Sequence, residues 1–89
     1  MHQTHSTIVL GDKDNVAIAL RAILTGDLIS ELDLSARTDI PKGHKVAKRA
    51  IPCGEAVFKY GQIIGRSTTD ISAGEHVHTH NIKLSLIHI

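Results

Sequence analysis

Apolar and polar positions fall into one short motif that recurs four times. "ILTGDLI" (23–29), "IPKGHKV" (40–46), "IPCGEAV" (51–57) and "ISAGEHV" (71–77) share the form Ile, two turn residues, Gly, a polar residue, any residue, then Val or Ile. The physics of each copy is the same. The first Ile anchors the end of one extended segment in the core. Pro stands at the first turn position twice, where its fixed φ suits a turn. The Gly supplies a positive φ without a Cβ penalty. A new extended segment follows, and its β-branched residue returns to the core. Units of this kind, 11 to 20 residues apart, predict a compact, mainly β domain of short strands. Their spacing is too irregular for a stacked solenoid.

The remaining segments fit that reading. "STIVL" reads as a first strand. "NVAIAL" sets Val16, Ile18 and Leu20 against Asn15, Ala17 and Ala19, the period of a half-buried strand. A short helix over residues 16–24 competes, because Ala and Leu favour helix. "KVAKRA" alternates in the same way. "AVFKYG" and "QIIGRS" flank Gly61, a tight turn between two strands. The expectation is a small β fold with little helix and no internal linker.

Composition narrows the function. With 89 residues the chain has one modest core and leans on a second domain, a partner chain or an oligomer. A net charge of +1 and a lone aromatic pair, Phe58 and Tyr60, argue against nucleic acid as a partner. The single Cys53 forms no internal disulfide, which fits a reducing, cytoplasmic setting. The start "MHQTHST" is polar, lacks the basic and apolar runs of a signal peptide, and is expected to fray over residues 1–7. No window is long and apolar enough to span a membrane. The ending "LSLIHI" (84–89) reads as translation of a sequencing-library adaptor. On that reading the domain occupies residues 8–83 and is the N-terminal piece of something longer. A true terminal strand is the alternative.

The chemistry concentrates in "GEHVHTHN" (74–81). In an extended strand His76, His78 and His80 project to one face. Same-face neighbours lie roughly 6.5–7 Å apart and the outer pair about 13 Å. Two of them can close on one ion at about 2.0–2.1 Å, but three on a straight strand cannot. A metal would therefore take two plus a ligand from elsewhere, with His44 and Glu75 as candidates. The competing reading is a solvated strand rich in histidine. Asn81 either caps a turn or binds a polar ligand. In "GHKVAKR", Lys45 offers a point charge to a carboxylate and His44 a donor or general acid/base. Lys48 and Arg49 read as surface charge. Cys53 reads as an inert turn residue, because no cation or helix N-terminus activates it. Tyr60 offers its hydroxyl to a ligand or simply ends a strand.

Together, "DNVAIAL" and "IPKGHKVAKRAIPCGEAVFKYGQIIGRSTTDISAGEHVHTHN" resemble the N-terminal SAF-type (β-clip) domain of the altronate and galactarate dehydratases. The resemblance covers residues 14–83. It rests on Gly-His-Lys, Lys-Tyr-Gly-x-x-Ile-Gly and Gly-Glu-His-Val-His-x-His-Asn. It implies a β-clip domain, or a separate small subunit as in sulfolactate sulfo-lyase, placed beside a larger catalytic region of a sugar-acid hydro-lyase. It implies ferrous iron as cofactor and no activity for the domain alone. Carried onto matching positions, it implies His44 and His78 as catalytic residues. Lys45, Tyr60 and Asn81 would bind substrate, and His78 and His80 the metal. Galactarate dehydratase departs from the histidine strand, so that strand is no universal metal site of the family. The sulfo-lyase subunit carries an aromatic at the position of His76, which favours the dehydratases. A free-standing carbohydrate- or ligand-binding β-clip module is the reading from outside the enzymes.

Overall fold

The computed structural model describes residues 5–84 as short antiparallel strands with one 3-10 turn at Ser30–Leu32. The strands are β1 (Thr7–Ile8), β2 (Val16–Ala19), β3 (Leu28–Ile29), β4 (Leu34–Ser35), β5 (Lys45–Ala47), β6 (Ala56–Lys59), β7 (Gln62–Ser67), β8 (His76–Val77) and β9 (Ile82–Leu84). They form a four-stranded sheet in the order β1-β2-β5-β8, a β3-β4 pair and a three-stranded sheet in the order β6-β7-β9. The strand reading of "NVAIAL" holds as β2, and the competing helix over 16–24 does not form. No helix among the described residues is long and apolar enough to cross a membrane.

Each repeated unit builds the same local structure. Gly26, Gly43, Gly54 and Gly74 all have φ between 85° and 91°. In every copy the N–H after the Gly donates to the carbonyl three residues earlier, as Asp27 does to Leu24 and His44 to Pro41. A strand then begins. The four leading isoleucines are buried and pair across the fold, Ile23 with Ile40 and Ile51 with Ile71. The aspartate before each later isoleucine seals its pair. Asp39 accepts from Thr25 N–H and Asp70 from Cys53 N–H, both at 2.8 Å. The four units are thus two matched pairs.

The half-buried alternation expected for "NVAIAL" and "KVAKRA" is not what forms. Val16 and Ala17 on β2, and Val46 and Ala47 on β5, are all buried, whereas Leu20 is exposed. The reason is that both faces of the central sheet are covered. Val16 and Ala47, opposite one another, join a core with Ile51, Val57, Ile71, Val77 and Ile82. Ala17 and Val46, also opposite, join a second core with Ala19, Ile23, Ile29, Ala36 and Ile40. Sheets covered on both faces lose the period-two signature.

The N-terminal stretch also differs from the expected frayed end. Ser6 and Thr7 are buried, and the Glu31 carboxylate accepts from both of their N–H groups, at 3.0 and 2.7 Å. Residues 1–4 and 85–89 lie outside the described residues, and with them most of "LSLIHI". Leu84, its first residue, pairs with Gly65 at the end of β9.

Candidate functional site

The histidines meet where β5 and β8 pair at the edge of the central sheet. Lys45 faces Val77 and Val46 faces His76. Continued one position beyond Lys45 and Val77, this register sets His44 opposite His78. Their rings stack with centroids 4.2 Å apart and planes 27° from parallel. The His76 ring stands beside this pair, 5.0 Å from His44 and 5.4 Å from His78. His44 Nδ1 and His76 Nε2 are 2.9 Å apart, a hydrogen bond in whichever tautomer supplies the proton.

The local sequence explains why His44 is available. In units one and four the residue after the Gly is an acid turned back on its own turn: Asp27 accepts from Leu24 N–H and Glu75 from Ser72 N–H. In unit two the corresponding turn position is Pro41, which has no N–H to satisfy. His44 therefore has no turn to cap and faces the site. The same geometry employs Glu75 within its turn, away from the imidazoles.

The straight strand assumed for residues 76–80 is also replaced. β8 ends at Val77, and residues 78–81 form a turn in which Asn81 N–H donates to His78 O at 3.0 Å. The chain folds back and leaves His80 5.1 Å from His76 by ring centroid. The buried Asn81 side chain holds this turn. Its Oδ1 accepts from His78 N–H at 2.9 Å and its Nδ2 donates to His76 O at 2.8 Å. Of the two uses considered for Asn81, the hydrogen bonds are those of the turn.

Lys45 follows His44 in β5 and is half-buried. Burial first, then Lys59, lowers its pKa. Among the described residues its ammonium makes no hydrogen bond or ion pair. Tyr60 sits elsewhere, at the tip of the β6-β7 hairpin, and is 73% exposed. It has φ 60° beside Gly61 at 75°, a two-residue turn in a conformation unusual for tyrosine. Asp14 holds that turn by accepting from Tyr60 and Gly61 N–H at 2.7 and 2.8 Å. Sequence reasoning missed Asp14, Lys59 and Thr38, whose hydroxyl accepts from His76 N–H at 2.9 Å. The repeated "TDI" at 38–40 and 69–71 is the signal that could have found Thr38.

Two imidazoles of the cluster, His76 and His78, are pushed towards their neutral form. Burial, then His80, His44, His78 and Lys45, pushes His76 down from 6.5 to about 4. Burial, then His44, Lys45 and His80, lowers His78. None of these influences is a carboxylate. One ring nitrogen from each of His44, His76 and His78 falls within 4.8 Å of the other two, and all three are half-buried. This donor set fits a divalent transition metal, for which imidazole is a suitable ligand.

A pH dependence follows. Folded His76 refuses a proton that the unfolded chain accepts. The stability it contributes is whole above pH 6.5 and is lost as pH falls from 6.5 towards about 4. Carboxylates add their losses lower still. Burial raises the pKa of Asp14, but N–H donors from Gly61, Tyr60 and Gly11 outweigh it and hold the carboxyl below its usual value. Urea midpoints of the metal-free chain should fall between about pH 7 and pH 4.5. The fall should shrink in His76→Asn. An equal slope in both proteins would remove His76 as the cause.

Comparison with known proteins agrees with this architecture. The sequence profile of the altronate/galactarate dehydratase SAF domain matches residues 5–85. Altronate dehydratase of Bacillus subtilis (strain 168) is 41% identical over 83 residues, covering 91% of this chain and 17% of that protein. Altronate dehydratase of Escherichia coli (strain K12) is 43% identical over 75 residues, 82% of this chain and 15% of that protein. The (2R)-sulfolactate sulfo-lyase subunit alpha of Paracoccus pantotrophus is 50% identical over 54 residues, 61% of this chain and 81% of that subunit. The chain thus spans under a fifth of the two dehydratases and most of the sulfo-lyase subunit.

Proposed function

Since the chain belongs to the altronate/galactarate dehydratase SAF-domain family, we propose that it works as the small N-terminal part of a sugar-acid hydro-lyase in the cytoplasm. A larger catalytic region would complete the active site, and this domain alone would be inactive. The observation that carries the reading is the edge of the central sheet, where Lys45 and a cluster of imidazoles stand together with no carboxylate among their electrostatic neighbours. Such a face suits an anionic, hydroxyl-rich substrate.

The reaction is a β-elimination. A base takes the proton from the carbon next to the substrate carboxylate. The C–O bond at the following carbon breaks, and the hydroxyl leaves as water with a donated proton. Lys45 would bind the carboxylate, an unpaired cation already held in place by β5. His44 and His78 would line the side from which the hydroxyl departs. An imidazole can donate an N–H or hold a Lewis acid. Ferrous iron, when bound, would supply polarisation of a substrate oxygen. Tyr60, fixed at its hairpin tip by Asp14, would reach towards the substrate or the larger region from outside the cluster. Asn81 would act by positioning His76 and His78.

Replacing the N-terminal domain of the E. coli altronate dehydratase by residues 5–84 of this chain tests the reading. The chimaera should dehydrate altronate. Lys45→Met in it should raise KM about tenfold or more, with kcat less affected, as loss of one charge-assisted carboxylate contact requires. The identity to the sulfo-lyase subunit, over 81% of its length, favours the small subunit of a sulfolactate sulfo-lyase as a second reading. A folded chimaera inactive on altronate, with sulfite release restored when the chain joins a sulfo-lyase large subunit, would establish that reading instead.

A further inference from the structure

We propose that His44, His76 and His78 are the three protein ligands of a divalent transition-metal site, and that His80 is not one. The argument starts from distance. In a metal centre with metal–nitrogen bonds of about 2.0–2.1 Å, neighbouring ligand nitrogens stand roughly 3.0–3.4 Å apart. His44 Nδ1 and His76 Nε2 are already 2.9 Å apart. The third nitrogen, from His78, completes a set in which no pair exceeds 4.8 Å. His80 is exposed, sits within the 78–81 turn, and joins no such triad among the described residues.

The backbone beneath the triad is pinned from three directions. The pairing of β5 with β8 fixes His44 against His78. Thr38 holds His76 N–H at 2.9 Å from the outer side. Asn81 holds both the His76 carbonyl and the His78 N–H. Pre-positioning of this kind is what a metal site needs from its supporting residues.

The donor set also defines the site's chemistry. Three imidazole ligands bring no negative charge to a divalent ion and leave coordination positions open. This is the arrangement of a Lewis-acid centre that takes an oxygen ligand, unlike a closed structural site. An open dication beside Lys45 selects an anionic oxygen ligand such as a hydroxy acid. The three-imidazole set suits zinc, iron, cobalt or nickel in the +2 state over calcium or magnesium.

Titration of the metal-free chain with Co(II), followed by its visible absorption bands and by competition with Zn(II), tests the proposal without any substrate. Its failure is therefore separate from failure of the hydro-lyase reading. One ion should bind per chain. His44→Ala, His76→Ala and His78→Ala should each weaken binding by more than about 100-fold, beyond the roughly 10–100-fold typical of outer partners. His80→Ala should change it by less than about threefold. Circular dichroism reports whether each variant folds. For any that does not, Co(II)-induced paramagnetic shifts of the three imidazoles in the unaltered chain serve in its place. Equal loss in His80→Ala and His78→Ala would overturn the assignment. So would tight binding retained when all three ligands are replaced together, or shifts confined to other histidines.

Discussion

Gly74→Ala should be the most damaging glycine-to-alanine change in this chain, lowering stability by about 2–5 kcal/mol. Two costs combine. The φ of Gly74 is +88°, and an alanine held there costs about 1–2 kcal/mol. The added Cβ would also stand closer than 3.0 Å to the Ser35 carbonyl oxygen, a backbone atom that cannot swing away. Relief of that overlap adds about 1–3 kcal/mol. The segment that must shift matters as well. Gly74 N–H donates to Ala47 O at 2.8 Å, and Gly74 O accepts from Arg37 N–H at 2.9 Å. Displacing it pulls β8, with His76, off its place against β5. Gly43→Ala is the matched comparison: φ is +85° and nothing lies within 4 Å of the new Cβ. It should cost only the conformational share. Urea denaturation of the two variants checks this. Equal losses would mean that β8 does not pack on residues 35–37 as closely as described.

That contrast also shows where sequence reading reaches and where it stops. The four glycines were legible as turns because each unit carries its own signal: a flanking isoleucine, a turn pair and a following β-branched residue. Such signals are local. Which glycine sits against a foreign carbonyl depends on the partner segment, here residues 35–37, and no local pattern reports it. The pairing of isoleucines was non-local in the same way, although "RAI" at 21–23 and 49–51 and the repeated "TDI" mark the units as two matched pairs. The alternation in "NVAIAL" misled because two cores, one on each face, bury Val16 and Ala17 alike.

The site was legible in its residue types and only partly in its geometry. Spacing placed three histidines on one face and suggested that any metal needs a ligand from another segment. It assumed a straight strand, which set His76 and His80 about 13 Å apart. The turn held by Asn81 ends that strand at Val77, and the ring centroids of His76 and His80 come to 5.1 Å. His44 joined the cluster through the register of β5 on β8, a relation between positions more than thirty residues apart in "GHK" and "HVH". Lys45 and Tyr60, adjacent in function by resemblance, fall on different elements.

Asn81→Ala should separate the turn from the general stability of the fold. The buried amide satisfies His78 N–H and His76 O at 2.9 and 2.8 Å. Alanine leaves both backbone groups without that partner, at about 1–3 kcal/mol for each group that stays shielded from water. A net loss of about 2–4 kcal/mol is expected. Asn15→Ala is an equally demanding control. Asn15 is fully buried, donates to Ala56 O at 2.9 Å and accepts from Phe58 N–H at 2.8 Å, stitching the start of β2 to β6. Both variants should lose similar stability. Only Asn81→Ala frees residues 78–81, so only it should weaken Co(II) binding, by about tenfold or more in cold buffer where both proteins remain folded. Asn81→Asp keeps the acceptor for His78 N–H and loses the donor to His76 O, and should fall between alanine and asparagine. If Asn15→Ala weakens the ion as much as Asn81→Ala does, affinity is following global stability. The turn then has no separate part in assembling the histidines.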